Sequence, residues 1–466
     1  MSKKKILVLG SGMVAKPCVD YLLQDEKNSL TVACRTLSTA ESLVEGRPRA
    51  KAIALDVKSP DLDRHIAEHD VVISLVPFIY HANVIRSAIK AKTHVVTTSY
   101  VSPAMRELDG AAKEAGITVL NEVGVDPGVD HLYAIKTIGE VHDKGGKIKE
   151  FYSFCGGIPA PEATNDNPLR FKFSWSPRGA LLSQYNSATF LRDGEVVEIS
   201  NEDLMGSAKP YHVLDGYSFV AYPNRNSVPF REAYGIPEAH TVIRGSLRYE
   251  GNPAMVKALI DLGWINPEEK LWLKDGMTWA QIQKQVTGAA SDEENDLVAK
   301  VNEICTFSSA EERDKILNGL RWMGLFSEKV PTLHGNLLDT LSAQLEKLCS
   351  FSPGERDLVM LQHKFVVEWK DGSEVTQHPS QHLLACCLRS KQNTITSTLE
   401  LFGDPNGDSA MSKSVGVTCG IATQLLLGGH APLNKPGILA PYSRDVCDLI
   451  RVRVEEEGIR LVERMV

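Results

Sequence analysis

The feature that most constrains this chain is the alternation that fills its first 120 residues. Short, continuously apolar runs ("ILVLG", "LTVAC", "AIALD", "VVISLV", "THVVTT" and "ITVLNE") are separated by stretches of helical periodicity, such as Val14–Leu23, Pro60–Glu68, His81–Ala91 and Pro103–Ala115. Strands that are apolar on both faces, each followed by a helix of about ten residues, specify a parallel sheet with helices on either side. Six such strands predict an α/β, doubly wound nucleotide-binding domain over residues 1–128.

The first strand-to-helix turn reads Gly10-Ser11-Gly12-Met13-Val14-Ala15. Gly10 permits the sharp turn, Gly12 lets a pyrophosphate approach the backbone, and Ala15 lets the helix sit close to the strand, its N-terminus facing the anion. At the end of the second strand, where an acid usually holds a ribose hydroxyl, the chain has Arg35 and Thr36, 25 residues after Gly10. A carboxylate there would repel a 2′-phosphate. A guanidinium binds one through charge-assisted hydrogen bonds of about 1.5–3 kcal/mol each. NADP(H) is therefore expected over NAD(H). The third and fourth strands end at Asp56-Val57 and Val76-Pro77, placing Asp56 and Val57 beside the adenine. Thr97–Tyr100 and the Gly/Pro-interrupted loop Asn121–His131, with Asp126, Asp130 and His131, should face the nicotinamide end.

Beyond residue 129 the runs lengthen into a mostly antiparallel α+β region, covering 129–251 and 328–376, with hairpins expected at Arg192–Glu195 and Lys370–Ser373. A helical segment, 252–327, interrupts it, and "SAMSKSVGVTCGIATQLLLGG" reads as a helix of small residues able to pack closely against the first domain. Gln377–Ile395 fits none of these patterns. It contains Cys386, Cys387 and two histidines, but their spacing matches no tetrahedral site and no metal is expected. Arg178, Arg225, Arg244 and Arg248 stand beside glycine, proline and aromatic residues, as bidentate carboxylate binders would. Cys155, before Gly156-Gly157, is either a buried structural thiol or part of a site.

Composition closes off other classes. No apolar run approaches the roughly 18 residues of a membrane span, and a net charge of −8 disfavours nucleic acid. Nine scattered cysteines without C-x-x-C spacing indicate free thiols in a reducing, cytoplasmic compartment.

The segments "LGSGMV", "VACRTL", "VVTTSYVSPAM", "NEVGVDPGVDHLYAIKTI", "CGGIPAPE", "KFSWSPRG", "FVAYPNR", "RGSLRY", "GERDLVMLQHKF" and "SAMSKSVGV" together cover most of the chain. In them the sequence resembles the fungal NADP-dependent, glutamate-forming saccharopine dehydrogenases (saccharopine reductases) of lysine biosynthesis. The resemblance implies a homodimer of Rossmann, substrate-binding and all-helical domains, the Rossmann domain completed by about 396–466, with 377–395 as an atypical insert. It implies NADP(H) contacts at Ser11, Gly12, Met13, Val14, Cys34, Arg35, Thr36, Asp56, Val57, Val76, Thr98, Ser99, Val125, Asp126, Pro127, Ser174, Trp175 and Ser176. Saccharopine would contact Ser99, Tyr100, Asp126, Arg225, Gly245, Ser246 and Leu247, with Arg244 a further guanidinium, and Cys155 near the reacting carbon. Asp126, Tyr100 and Cys155 are the acid/base candidates for joining L-glutamate to aminoadipate semialdehyde. Two rival readings are an NADPH-dependent reductase of a related carboxylated imine and a non-enzymatic NADPH-binding module.

Overall fold

The computed structural model describes residues 3–369 and 391–466. Six strands, β1 (Lys4–Leu9), β2 (Asn28–Cys34), β3 (Ala50–Ala54), β4 (Val71–Ser74), β5 (His94–Thr97) and β6 (Thr118–Leu120), follow the apolar runs read from the sequence. Then come β7 (Lys147–Pro159), β8 (Ala188–Arg192), β9 (Glu195–Ile199), β10 (Lys209–Pro210), β11 (Phe219–Pro223), β12 (Arg225–Asn226), β13 (Thr241–Tyr249), β14 (Asp357–Trp369) and β15 (Lys391–Phe402). β16 (Gly437–Leu439) and β17 (Val462–Met465) close the chain.

The first sheet is parallel, in the order β16-β6-β5-β4-β1-β2-β3. Its strands are buried on both faces: Ile6, Leu7, Val8, Val71, Val72 and Ile73 are fully enclosed, which is why they lack a polar alternation. The order reverses between β1 and β4, placing the crevice of a doubly wound sheet beyond the carboxyl ends of these two strands. The seventh strand is supplied from more than 300 residues downstream, Gly437–Leu439 pairing with Thr118–Leu120. The helix expected over Pro103–Ala115 is two, Pro103–Arg106 and Asp109–Ala115, and Asp109 accepts a hydrogen bond from the Ile438 amide (2.8 Å).

The second sheet has ten strands, with β10-β11-β13-β7-β14-β15-β17 in order and β8, β9 and β12 alongside. It is mostly antiparallel, but β13 with β7 and β12 with β8 run parallel. The Asp-Gly hairpin between β8 and β9 forms, Asp193 and Gly194 both having positive φ (52° and 86°). The hairpin expected at Lys370–Ser373 and residues 377–390 of the atypical stretch lie outside the described residues; 391–395 belong to β15. Helices Asn252–Asp261, Trp279–Thr287, Glu294–Ile304 and Ala310–Met323 form a layer that Leu337–Leu348 continues past residue 327, sharing one core with one side of the sheet.

The helix of small residues, Ala410–Leu427, docks on the helix Ala15–Leu22 that follows the glycine turn. A Cβ at Gly416 would come within 2.5 Å of the Val14 carbonyl, so only glycine allows this approach. The C-terminal part thereby braces the element that carries the nucleotide turn.

Candidate active site

The glycine turn is shaped by two different demands. Gly10 has φ +110° and a Cβ there would lie 2.8 Å from the Leu75 carbonyl, so the fold itself requires glycine. At Gly12 a Cβ would meet nothing within 4 Å. The protein's own packing does not call for that glycine; a ligand approaching the backbone does. Around the turn Met13, Leu37, Phe78 and Ile79 expose apolar side chains at the carboxyl ends of β1, β2 and β4. Arg35 is exposed, with no hydrogen-bond or ion-pair partner among the described residues. Thr36 is also exposed and precedes the helix Leu37–Val44. Beneath them the Cys34 sulfur accepts from Thr39 (3.4 Å), whose hydroxyl also meets Ser11 (2.8 Å). Burial alone would push the Cys34 thiol up, but the hydrogen bonds from Ser11 and Thr39 outweigh it and hold it below its ordinary value. These residues fit a nucleotide carrying an extra phosphate: an open glycine, an uncommitted guanidinium and an apolar rim. Asp56 caps its own turn through the Lys58 amide (2.9 Å), while Val57 is buried and Val76 half-buried in the same row of strand ends.

At the other end of the crevice the chain leaves β6 through Asn121–Gly128. Gly128 has φ +147°, and a Cβ would fall 2.0 Å from the Gly124 oxygen. This crossing leads into the helix Val129–Asp143, so Asp130 and His131 sit in its first turn, not in the loop. Asp130 secures the turn by accepting from the Gly128 amide (2.6 Å).

The second sheet meets this loop with Arg244. Its Nη2 donates to Asp126 Oδ1 (2.7 Å), to the Tyr100 oxygen (2.8 Å) and to Asp130, while Tyr100 donates to Asp126 Oδ1 (2.5 Å). Its guanidinium also lies over the Phe230 ring, 4.1 Å from the centroid. Arg244 is thus a counter-ion shared by two carboxylates, with Nη1 buried and unpartnered. Burial raises the Asp126 carboxyl, Arg244 opposes the rise and Asp130 adds to it, so the net direction is upward. Burial likewise raises Tyr100. A carboxyl group displaced upward beside a phenol is a candidate for proton transfer.

Ser246 and Leu247 continue along β13, with Cys155 of β7 directly opposite Ser246. Burial and the nearby Asp126 and Asp130 push the Cys155 thiol well up, which keeps it protonated. Gly245 lets Tyr222 and Phe154 approach, since a Cβ would lie 2.2 Å from the Tyr222 oxygen. Ser174 Oγ is buried, unpartnered and next to Gly157; Trp175 follows, and Ser176 caps the helix Pro177–Ser183. The predicted arginines separate by environment. Arg225 is exposed, holds φ 51° and stacks over Tyr100 at 5.4 Å. Arg248 is 4% exposed, has no ion-pair partner among the described residues, and keeps Nε unpartnered. Arg178 is elsewhere, in an exposed pair with Asp339. Thr98, Ser99, Val125 and Pro127 line the junction, Ser99 accepting from the Glu122 amide (3.2 Å).

Glu122, Tyr234 and Tyr442 here were not singled out from the sequence. Glu122, with φ 62°, binds His131 (2.9 Å), Tyr442 (2.6 Å) and the Val101 amide (2.9 Å). Burial would raise it, but His131 and the other donors hold it below the usual range. His131 and its neighbour Tyr234 (2.7 Å) extend this buried assembly behind Arg244. Among the described residues, no group of three His, Cys, Asp or Glu side chains could hold a metal.

Comparison with known proteins agrees over the whole chain. The saccharopine dehydrogenase NADP binding domain matches residues 6–120 and the saccharopine dehydrogenase C-terminal domain matches 124–459. The chain belongs to the saccharopine dehydrogenase family. It is 49% identical over 465 residues to saccharopine dehydrogenase [NADP(+), L-glutamate-forming] of Schizosaccharomyces pombe, covering 99% of each chain. It is also 49% identical over 471 residues to the Pyricularia oryzae protein of the same description, covering 100% of each. A solved structure of apo saccharopine dehydrogenase (L-Glu forming) from Saccharomyces cerevisiae superposes with TM-score 0.85 at 47% identity, covering 99% of this chain and 100% of the other.

Proposed function

We propose that this chain is a saccharopine reductase, an NADP(H)-dependent oxidoreductase that joins L-glutamate to L-2-aminoadipate 6-semialdehyde in lysine biosynthesis, reversibly. The carrying observation is the part-buried Tyr100–Asp126–Arg244 cluster, set where the nucleotide crevice meets the second sheet. The glutamate amine adds to the aldehyde carbon, water leaves, and the resulting imine is reduced to the secondary amine. NADPH, when bound, supplies the hydride. Arg35 and Thr36 would hold its 2′-phosphate and Gly12 would admit the pyrophosphate, with Asp56, Val57 and Val76 toward the adenosine and Ser174–Ser176 as further contacts. Asp126, with its carboxyl raised, accepts the ammonium proton and returns a proton to the departing hydroxyl, with Tyr100 as its partner. Cys155, protonated, borders the reacting carbon. Arg225 and Arg248, neither paired with a carboxylate among the described residues, take carboxylates of the tricarboxylic product, and the free Nη1 of Arg244 is a third donor. Ser246 and Leu247 place the substrate backbone along β13.

The reading includes a cytoplasmic homodimer whose second sheet serves substrate binding and pairing. Among the described residues seven cysteines are unpaired, and no helix is long and apolar enough to cross a membrane. The test is NADPH oxidation with glutamate and semialdehyde. Turnover with a different carboxylated amine but none with glutamate would reassign the substrate, and no oxidation with any amine would leave only a binding module.

A further inference from the structure

Behind the reacting end of the crevice lie two side chains, Ser74 and His81, that none of the roles above uses. Ser74 ends β4, Thr97 ends β5, and His81 opens the helix His81–Ala91 that packs between them. The imidazole is 1% exposed and joins the two strand ends. Its Nδ1 meets Ser74 Oγ at 2.8 Å, and its Nε2 meets Ser99 Oγ at 2.9 Å and Thr97 Oγ1 at 3.3 Å. Thr97 Oγ1 in turn accepts from the Ser99 amide at 3.2 Å, so both the backbone and the hydroxyl of Ser99 are tied to one buried unit. Ser99 itself is only half-buried and precedes Tyr100, which holds Asp126.

We propose that His81 is a positioning residue for the reduction: an imidazole that fixes how the Ser99 hydroxyl meets the reacting groups. A ring nitrogen either donates or accepts. With the proton on Nε2, the ring donates to Ser99 and leaves its O–H free to donate into the crevice. With the proton on Nδ1, the ring accepts from Ser99 and leaves the oxygen lone pairs facing out. In either tautomer the Ser99 oxygen is held in place in advance, and part of the reorientation otherwise required in the reactive complex is avoided. Burial depresses His81 to about 4, which keeps the ring neutral at physiological pH.

This inference rests on the proposed placement of Ser99 at the reacting end, and the experiment separates the two. The full-length enzyme is assayed for NADPH oxidation as wild type, His81→Gln, His81→Asn, Ser99→Ala, and Ser99→Ala combined with each. A glutamine amide reaches the position of Nε2 and can still hold Ser99; an asparagine amide reaches the position of Nδ1 and Ser74 only. The expected result is that His81→Asn lowers kcat about tenfold, the worth of one well-placed hydrogen bond, with KM for NADPH changed less than threefold. His81→Gln retains most of kcat, and in the Ser99→Ala background the two variants are equal. The deuterium isotope effect from 4-deuterated NADPH rises in His81→Asn, because the reductive step becomes more limiting. Equal losses for the Gln and Asn variants, or a loss that persists undiminished without the Ser99 hydroxyl, would make His81 structural and overturn the proposal. A wild type that does not oxidise NADPH would instead overturn the proposed function.

Discussion

Replacing Arg244 with leucine would test the electrostatics of the site most sharply. Arg244 is 3% exposed and its Nη2 serves Asp126, Asp130 and Tyr100 at once. Leucine keeps much of the apolar bulk but leaves two carboxylates without their counter-ion, and removing one member of a buried ion cluster costs about 3–5 kcal/mol. A chain of this length has an unfolding entropy of about 1 kcal/mol per kelvin, so Tm should fall by about 3–5 °C at neutral pH if unfolding is cooperative. The sign of the pH dependence follows from which form is stranded. Arg244 opposes the rise that burial imposes on Asp126, so without it Asp126 binds a proton still more readily folded than unfolded. The penalty of stranding that carboxylate is therefore relieved as pH falls through its raised folded-state value. The gap in Tm between wild type and variant, followed by scanning calorimetry from pH 8 down to pH 5, should narrow, and Asp130→Asn in the variant should recover part of it. Activity should drop about a hundredfold or more, since Asp126 and Tyr100 lose their common anchor. A Tm loss that is the same at both ends of the range, or below about 1 °C throughout, would refute the dependence of these charges on one another.

Other outcomes follow from the same geometry. Gly12→Ala should leave stability within about 1 kcal/mol of wild type yet weaken NADPH binding at least tenfold by fluorescence titration, whereas Gly10→Ala, facing the Leu75 carbonyl, should destabilise the fold itself. Arg35→Ala should raise KM for NADPH and reduce the NADPH/NADH preference about ten- to a hundredfold, and an unchanged ratio in steady-state kinetics would dismiss its role. His81 and His363 are buried with values depressed to about 4 and about 3. Between the ordinary histidine value and those limits only the unfolded state takes up the proton, so each removes about 1.4 kcal/mol of stability per unit fall in pH. His363→Leu should flatten that acid slope in urea titrations, while a slope unaltered from pH 6 to pH 4.5 would contradict it.

The parts of this molecule that the sequence revealed are those written in local pattern. Unbroken apolar runs announced the parallel strands, Asp193-Gly194 announced a hairpin because few other pairs tolerate two positive φ values, and the small residues around Gly416 announced a close helix contact. What escaped depends on residues far apart in the chain. The strand Gly437–Leu439 has three residues and no periodicity; its partner lies more than 300 residues away. Arg244 could be read as a guanidinium near a site, but its engagement by Asp126 and Asp130 joins segments 118 and 114 residues apart. His81 carried no local signal at all, because its meaning comes from two strand ends that only the parallel sheet brings together.

An uncommitted cation after β2 and a part-buried acid–phenol–guanidinium cluster together are expected to run an NADPH-dependent reductive condensation. This is tested most directly by the initial rate of nicotinamide oxidation with L-glutamate and aminoadipate semialdehyde, measured side by side with NADPH and NADH in wild type and Asp126→Asn. The account predicts saccharopine formation with NADPH strongly preferred and a large loss of kcat in the variant. Equal rates with the two cofactors, or full turnover in Asp126→Asn, would contradict it.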